Sequence, residues 1–133
     1  SQISRLNKFV KKRNKIAKFY DKLFNDKSKF IIPSIKKNCT HSYHLYPLLI
    51  NFKKIKKSKK DFINFLKDKG INTQVHYIPI PMLKYYKNLG YNMRNLNKAK
   101  EYYSQAVSIP IFYNLSNKTQ DYIIKQIKKF FRI

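Results

Sequence analysis

Three histidines, one cysteine and six carboxylates are the whole acid-base and nucleophilic inventory of this 133-residue chain. Asp61, Asp68 and Asp121 fall on expected helix surfaces, and Asp21, Asp26 and Glu101 in helical or loop contexts. No two of them are spaced as an acid/base pair. His41 and His44 stand three apart. On a helix that spacing faces a metal, but on a strand it sends the two side chains to opposite faces. No nearby cysteine or carboxylate completes a ligand set, so no metal is expected, and both histidines stay unassigned between cleft and core. Cys39 follows Lys36-Lys37-Asn38, and a lone thiol without a base partner reads as structural. Gly70 and Gly90 are the only glycines, which excludes a phosphate-cradling glycine loop. The segment Thr73-Gln74-Val75-His76-Tyr77-Ile78-Pro79-Ile80-Pro81 is different. It places a His and a Tyr at a strand end before a proline-stiffened loop, where open α/β sheets commonly meet ligands. Spacing alone also allows one packed and one exposed strand residue.

The elements that must position this segment alternate. Residues 2–24 read as a long helix, with Ile3, Leu6, Val10, Ile16, Phe19 and Leu23 on the helical period. Pro33 marks a loop over residues 31–37. His41 to Phe52 reads as a strand, its Leu48-Leu49-Ile50 run suggesting burial on both faces, with Pro47 requiring an edge, bulge or break. Six lysines in Lys53–Lys60 read as a solvated turn. Ser58 caps a helix carried by Phe62, Ile63, Phe65 and Leu66, and Gly70 closes it. Ile71 to Ile78 reads as a second strand, and residues 82–94 as an irregular Tyr-rich segment. A helix follows over 96–106, then a short strand from Val107 to Phe112 broken by Pro110, then a helix capped by Ser116 and running to Phe131. The order α-β-α-β-loop-α-β-α predicts an α/β fold of the α+β sandwich kind, with about three strands covered by helices.

Composition bounds the partners. Lys and Arg number 30 against 6 Asp and Glu, a formal charge of +24, yet 43 per cent of residues are hydrophobic, which excludes a disordered polyelectrolyte. No apolar run approaches the about 18 residues of a membrane span, and no signal-peptide core is present, so a cytoplasmic protein is expected. The charge invites nucleic acid. Against this, Lys, Ile, Asn, Tyr and Phe, all with A/T-rich codons, make up 77 residues, and only 4 of the basic residues are Arg. Codon bias and solvated faces are the preferred account, and nucleic acid is not the expected partner.

Three stretches read together carry a resemblance. Ser42-Tyr43-His44-Leu45-Tyr46-Pro47, Gly70-Ile71-Asn72-Thr73-Gln74-Val75-His76-Tyr77-Ile78-Pro79-Ile80 and Ser108-Ile109-Pro110-Ile111-Phe112 resemble the C-terminal part of the DegT/DnrJ/EryC1/StrS sugar aminotransferases. Gln74-Val75-His76-Tyr77 followed by Tyr85-Tyr86 and Gly90-Tyr91 is most similar to the pseudaminic-acid branch. The opening helix and the Leu115-Ser116 segment extend the likeness over nearly the whole chain.

The resemblance implies a long connecting helix at 1–26 and a small C-terminal α/β domain at 27–133 of a fold-type I enzyme. The large domain that carries the aldimine lysine matches no segment here, so a fragment of a longer protein is expected, inactive alone, with no catalytic and no cofactor-binding residue assigned. The intact enzyme would hold pyridoxal phosphate and move an amino group, from glutamate, to a UDP-linked 4-keto-6-deoxy sugar. It would be a homodimer. His76 and Tyr77 are the expected substrate contacts, with Tyr85 a further candidate. Two other classes stay open: a basic nucleic-acid module using Lys53–Lys60, and a non-catalytic interaction domain using the Tyr-rich loop 77–91.

Overall fold

The structure, a computed structural model, describes residues 1–132; Ile133, the end of the expected small domain, lies outside them. A single 3-10 turn, Gln2–Arg5, leads into helix α1, Leu6–Leu23. The residues α1 buries are Ile16, Ala17 and Tyr20, followed by Phe24 beyond its end. Of the expected period, Ile16 is buried and Leu23 packs against the core, whereas Phe19 is half exposed. Tyr20 displaces it because its ring fills the core while its hydroxyl still finds a partner, donating to the Pro110 carbonyl at 2.8 Å.

Three strands form one antiparallel sheet in the order β1 (Phe30–Ile31), β2 (Tyr46–Ile50), β3 (Ala106–Ile109). The count matches expectation; the membership differs. Ile31 was expected in a loop, and instead pairs with Leu49, while Phe30 pairs with Ile50. The strand expected over 41–52 is confined to β2. Before it, Tyr43 adopts a left-handed φ of 46°, which no strand continues through. After it, Phe52–Ile55 forms the short helix α2, with Asn51 accepting from the Lys54 N–H, so the lysine run is partly helical rather than only a turn. Tyr46, Leu48 and Ile50 are fully buried, whereas Pro47 and Leu49 are half buried. Only one face of β2 is therefore sealed.

Pro47 sits in the central strand without losing a bond. It lies opposite Ser108, whose own backbone N–H and carbonyl pair with Gln74 on the other side. The Pro47–Ser108 pair is thus the non-hydrogen-bonded kind, and the missing N–H faces away from β3.

The strand expected from Ile71 to Ile78 is reduced to one bridge, Gln74 with Ser108. The neighbouring rungs are blocked on both sides. Toward Asn72 the partner is Pro110, which has no N–H. Toward His76 the partner is Ala106, whose N–H is already donated to Tyr102 at the end of helix α5, Asn97–Gln105.

Helix α3, Lys59–Asp68, starts on Ser58, whose hydroxyl accepts from the Asp61 N–H at 3.0 Å. It ends in a Schellman pattern: Gly70 N–H bonds the Lys67 carbonyl and Ile71 N–H the Leu66 carbonyl, with Gly70 at φ 70°. The Tyr-rich segment carries a 3-10 turn at Ile80–Met82 and helix α4, Lys84–Asn88. Helix α6, Asn117–Phe131, is capped by Ser116 and buries Ile123, Ile127, Phe130 and Phe131. α1, α3 and α6 close over the sheet around an aromatic core that includes Phe24, Phe30, Phe62 and Phe131.

Candidate functional site

The Schellman end of α3 fixes where the segment after Gly70 begins, and the Gln74–Ser108 bridge fixes its direction along β3. Beyond that single bridge the segment joins no ladder. Asn72, Gln74 and His76 line one cleft, of about 770 Å³. Val75 turns the other way, into a second cleft with Ile63, Met82, Met93 and Tyr103. The first cleft is closed by the end of β3 and by Thr119 and Tyr122 of α6, and Tyr122 ties the two sides together by donating to the Lys69 carbonyl at 3.1 Å.

His76 is the best-fixed polar group of the cleft. Its Nδ1 lies 2.9 Å from the Ser108 hydroxyl, and its ring meets the Tyr77 ring edge-on at 4.9 Å. Ser108 is buried, whereas Tyr77 is 77 per cent exposed and presents its ring at the mouth. His44 reaches the same cleft from the loop before β2. His41 does not: its Nδ1 accepts the Tyr43 N–H at 3.0 Å, and its own carbonyl accepts from Asn14 of α1. Tyr85 lies on α4, 69 per cent exposed and edge-on to Tyr86, and is not among the residues that line the cleft. Sequence reasoning passed over Ser108, although a hydroxyl inside the apolar run Ala106-Val107-Ser108-Ile109 is the signal of a buried partner.

The electrostatics of the cleft oppose those of the chain. In a protein of formal charge +24, the cleft lining contains no Lys, Arg, Asp or Glu. Its polar groups are imidazoles, amides and hydroxyls. Among the described residues no three His, Cys, Asp or Glu cluster as metal ligands. Burial lowers the pKa of Lys59 below the ordinary lysine range. Its ammonium is committed, donating to the Tyr103 carbonyl and lying 4.5 Å over the Tyr103 ring. It is therefore no free amine for a carbonyl cofactor.

A small α/β unit with a cleft at its sheet edge, mostly apolar and lined by no Lys, Arg, Asp or Glu, is the class this geometry defines. Residues 1–128 match the model of the DegT/DnrJ/EryC1/StrS aminotransferase family. The chain belongs to that family. It is 32% identical over 133 residues to the UDP-4-amino-4,6-dideoxy-N-acetyl-beta-L-altrosamine transaminase of Helicobacter pylori, covering 98% of this chain and 34% of the relative. Among solved structures it superposes on Helicobacter pylori PseC, an aminotransferase involved in the biosynthesis of pseudoaminic acid, with a TM-score of 0.85 at 30% identity, over 98% of this chain and 35% of that one. It also superposes on the PLP form of the putative sugar aminotransferase Spr1654 of Streptococcus pneumoniae, with a TM-score of 0.84 at 30% identity, over 98% and 33%. The chain spans about a third of the length of these relatives. The family is PLP-dependent. The lining of the cleft beside β3 holds no lysine.

Proposed function

We propose that this chain is the sugar-facing small domain of a nucleotide-sugar aminotransferase, one that passes an amino group from glutamate to a UDP-linked 4-keto-6-deoxy sugar in surface-glycan or flagellin-sugar synthesis. The observation that carries the reading is the cleft beside β3, where His76 and Tyr77 stand together among neutral hydrogen-bonding groups. Amides, hydroxyls and an imidazole recognise hydroxyl and carbonyl oxygens, while Tyr77 offers an exposed ring to stack on. His76 would bond a substrate oxygen from inside the cleft and Tyr77 would cover it at the mouth. Tyr85 would act from outside that lining, on a part of the substrate beyond the cleft. In this reading pyridoxal phosphate supplies the electron sink from the large domain and these residues orient the sugar. The enzyme would work as a cytoplasmic homodimer; no helix among the described residues is long and apolar enough to cross a membrane.

The test is a chimera that places residues 1–132 in the corresponding third of the Helicobacter pylori transaminase. Amino transfer to the keto sugar is expected. His76→Ala should lower kcat/KM about 10-fold, the size of one or two lost hydrogen bonds to substrate. The chain by itself should show NMR shifts at Tyr77 and His76 on titration with UDP-N-acetylglucosamine. Shifts confined to lysine-rich faces would instead support a general anion binder.

A further inference from the structure

The imidazole of His76 has two neutral forms, and the residue next to it selects one. Ser108 is buried, and its hydroxyl has a single hydrogen-bond partner among the described residues, His76 Nδ1 at 2.9 Å. Its backbone is pinned as well, since its N–H and carbonyl both pair with Gln74, two residues before His76. Hydroxyl and imidazole are thus held on one short backbone frame. If Nδ1 carried the proton, it would donate to Ser108 Oγ, and the hydroxyl proton would have no acceptor among the described residues. Leaving a buried donor unsatisfied costs more than a hydrogen bond gains. If Ser108 O–H donates to Nδ1 instead, both groups are satisfied, and the proton of the neutral ring sits on Nε2.

We propose that Ser108 is a positioning residue that fixes His76 in the Nε2–H form, so that His76 enters the cleft as a hydrogen-bond donor to an acceptor oxygen of the ligand and not as a proton acceptor. The assignment deepens the function proposed above and rests on it for the ligand: a carbonyl, ring or hydroxyl oxygen of a sugar, in a cleft whose lining holds no cation. In this form His76 does not abstract a proton in its neutral state. The tautomer itself stands on the hydrogen-bond geometry alone.

The experiment is long-range proton–nitrogen NMR on the isotope-labelled chain at mildly alkaline pH, where an ordinary imidazole is neutral. His76 is expected with a protonated Nε2 and a bare Nδ1. Ser108→Ala should release it toward the mixture of a free imidazole, and Ser108→Thr, which keeps the hydroxyl, should restore the wild-type form. Titration with UDP-N-acetylglucosamine should be weakened about fivefold by Ser108→Ala and not by Ser108→Thr, as for one hydrogen bond to a correctly aimed donor. A protonated Nδ1 in the wild type overturns the proposal. So does a Ser108→Ala chain that keeps the wild-type tautomer while its Tm falls, because a merely structural serine behaves that way. Failure of the wild type to bind the nucleotide sugar counts against the functional reading and leaves the tautomer result to decide this one.

Discussion

Single side chains here do unequal work, and the tyrosines do most. Tyr46 is buried and donates to Asp21 at 2.7 Å; burial first, and that carboxylate second, push its phenol above its ordinary range. Burial does the same for Tyr20 and, with the Asp21 charge, for Tyr43. A phenol whose folded pKa is raised stabilises the fold fully below its unfolded value of about 10 and loses that contribution as pH climbs past it. Thermal unfolding followed by circular dichroism should therefore show Tm falling above about pH 10, and Tyr46→Phe should blunt the fall. At the acid end, hydrogen bonds from Ser28, and then Lys29, hold the Asp26 carboxyl down at about 2. A depressed carboxyl stabilises above its unfolded value and loses this as pH drops through the folded one, so Asp26→Asn should flatten the Tm profile between about pH 4 and pH 2. Tyr20→Phe strands the Pro110 carbonyl and should cost about 1 kcal/mol in urea unfolding.

The elements show what the chain declared openly and what it concealed. Serine caps before periodic apolar runs announced α3 and α6, and the hydroxyls of Ser58 and Ser116 do accept from Asp61 and Thr119. Ser116→Ala should lower stability by about 1 kcal/mol, measured by urea melts with unchanged m. The stretch 71–78 misled because its composition is strand-like, while the obstacle lies in its partner: Pro110 lacks an N–H and the Ala106 N–H is spent on α5. No inspection of 71–78 alone reveals that. β1 escaped notice because two residues carry no period, and its pairing with Leu49 and Ile50 is set by the tertiary fold. The motif singled out His76 and Tyr77 together, and both line one cleft. Ser108 was not singled out, because what links it to His76 is contact across the sheet edge rather than spacing. Leu48, fully buried on the sealed face of β2, should cost about 2–5 kcal/mol as Leu48→Ala.

At the scale of the molecule, charge and connectivity dominate. Of 30 basic residues only Lys29 and Lys98 form ion pairs among the described residues. The surface repels itself, and raising salt from about 20 to about 300 mM should raise Tm through screening; a flat response would mean the fold is indifferent to its charge. The core is joined from both ends of the chain: Gln120 donates to the Ile16 carbonyl across 104 positions, and Tyr20 reaches Pro110 across 90. A ribosome delivers α1 first and α6 last. Phe30 and Tyr46 arrive early enough to meet Phe24 and Tyr20, but the Ile16 carbonyl waits for Gln120 of α6. The core of this unit therefore closes only once α6 has been made, and the lysines that flank those residues give that face a positive rim.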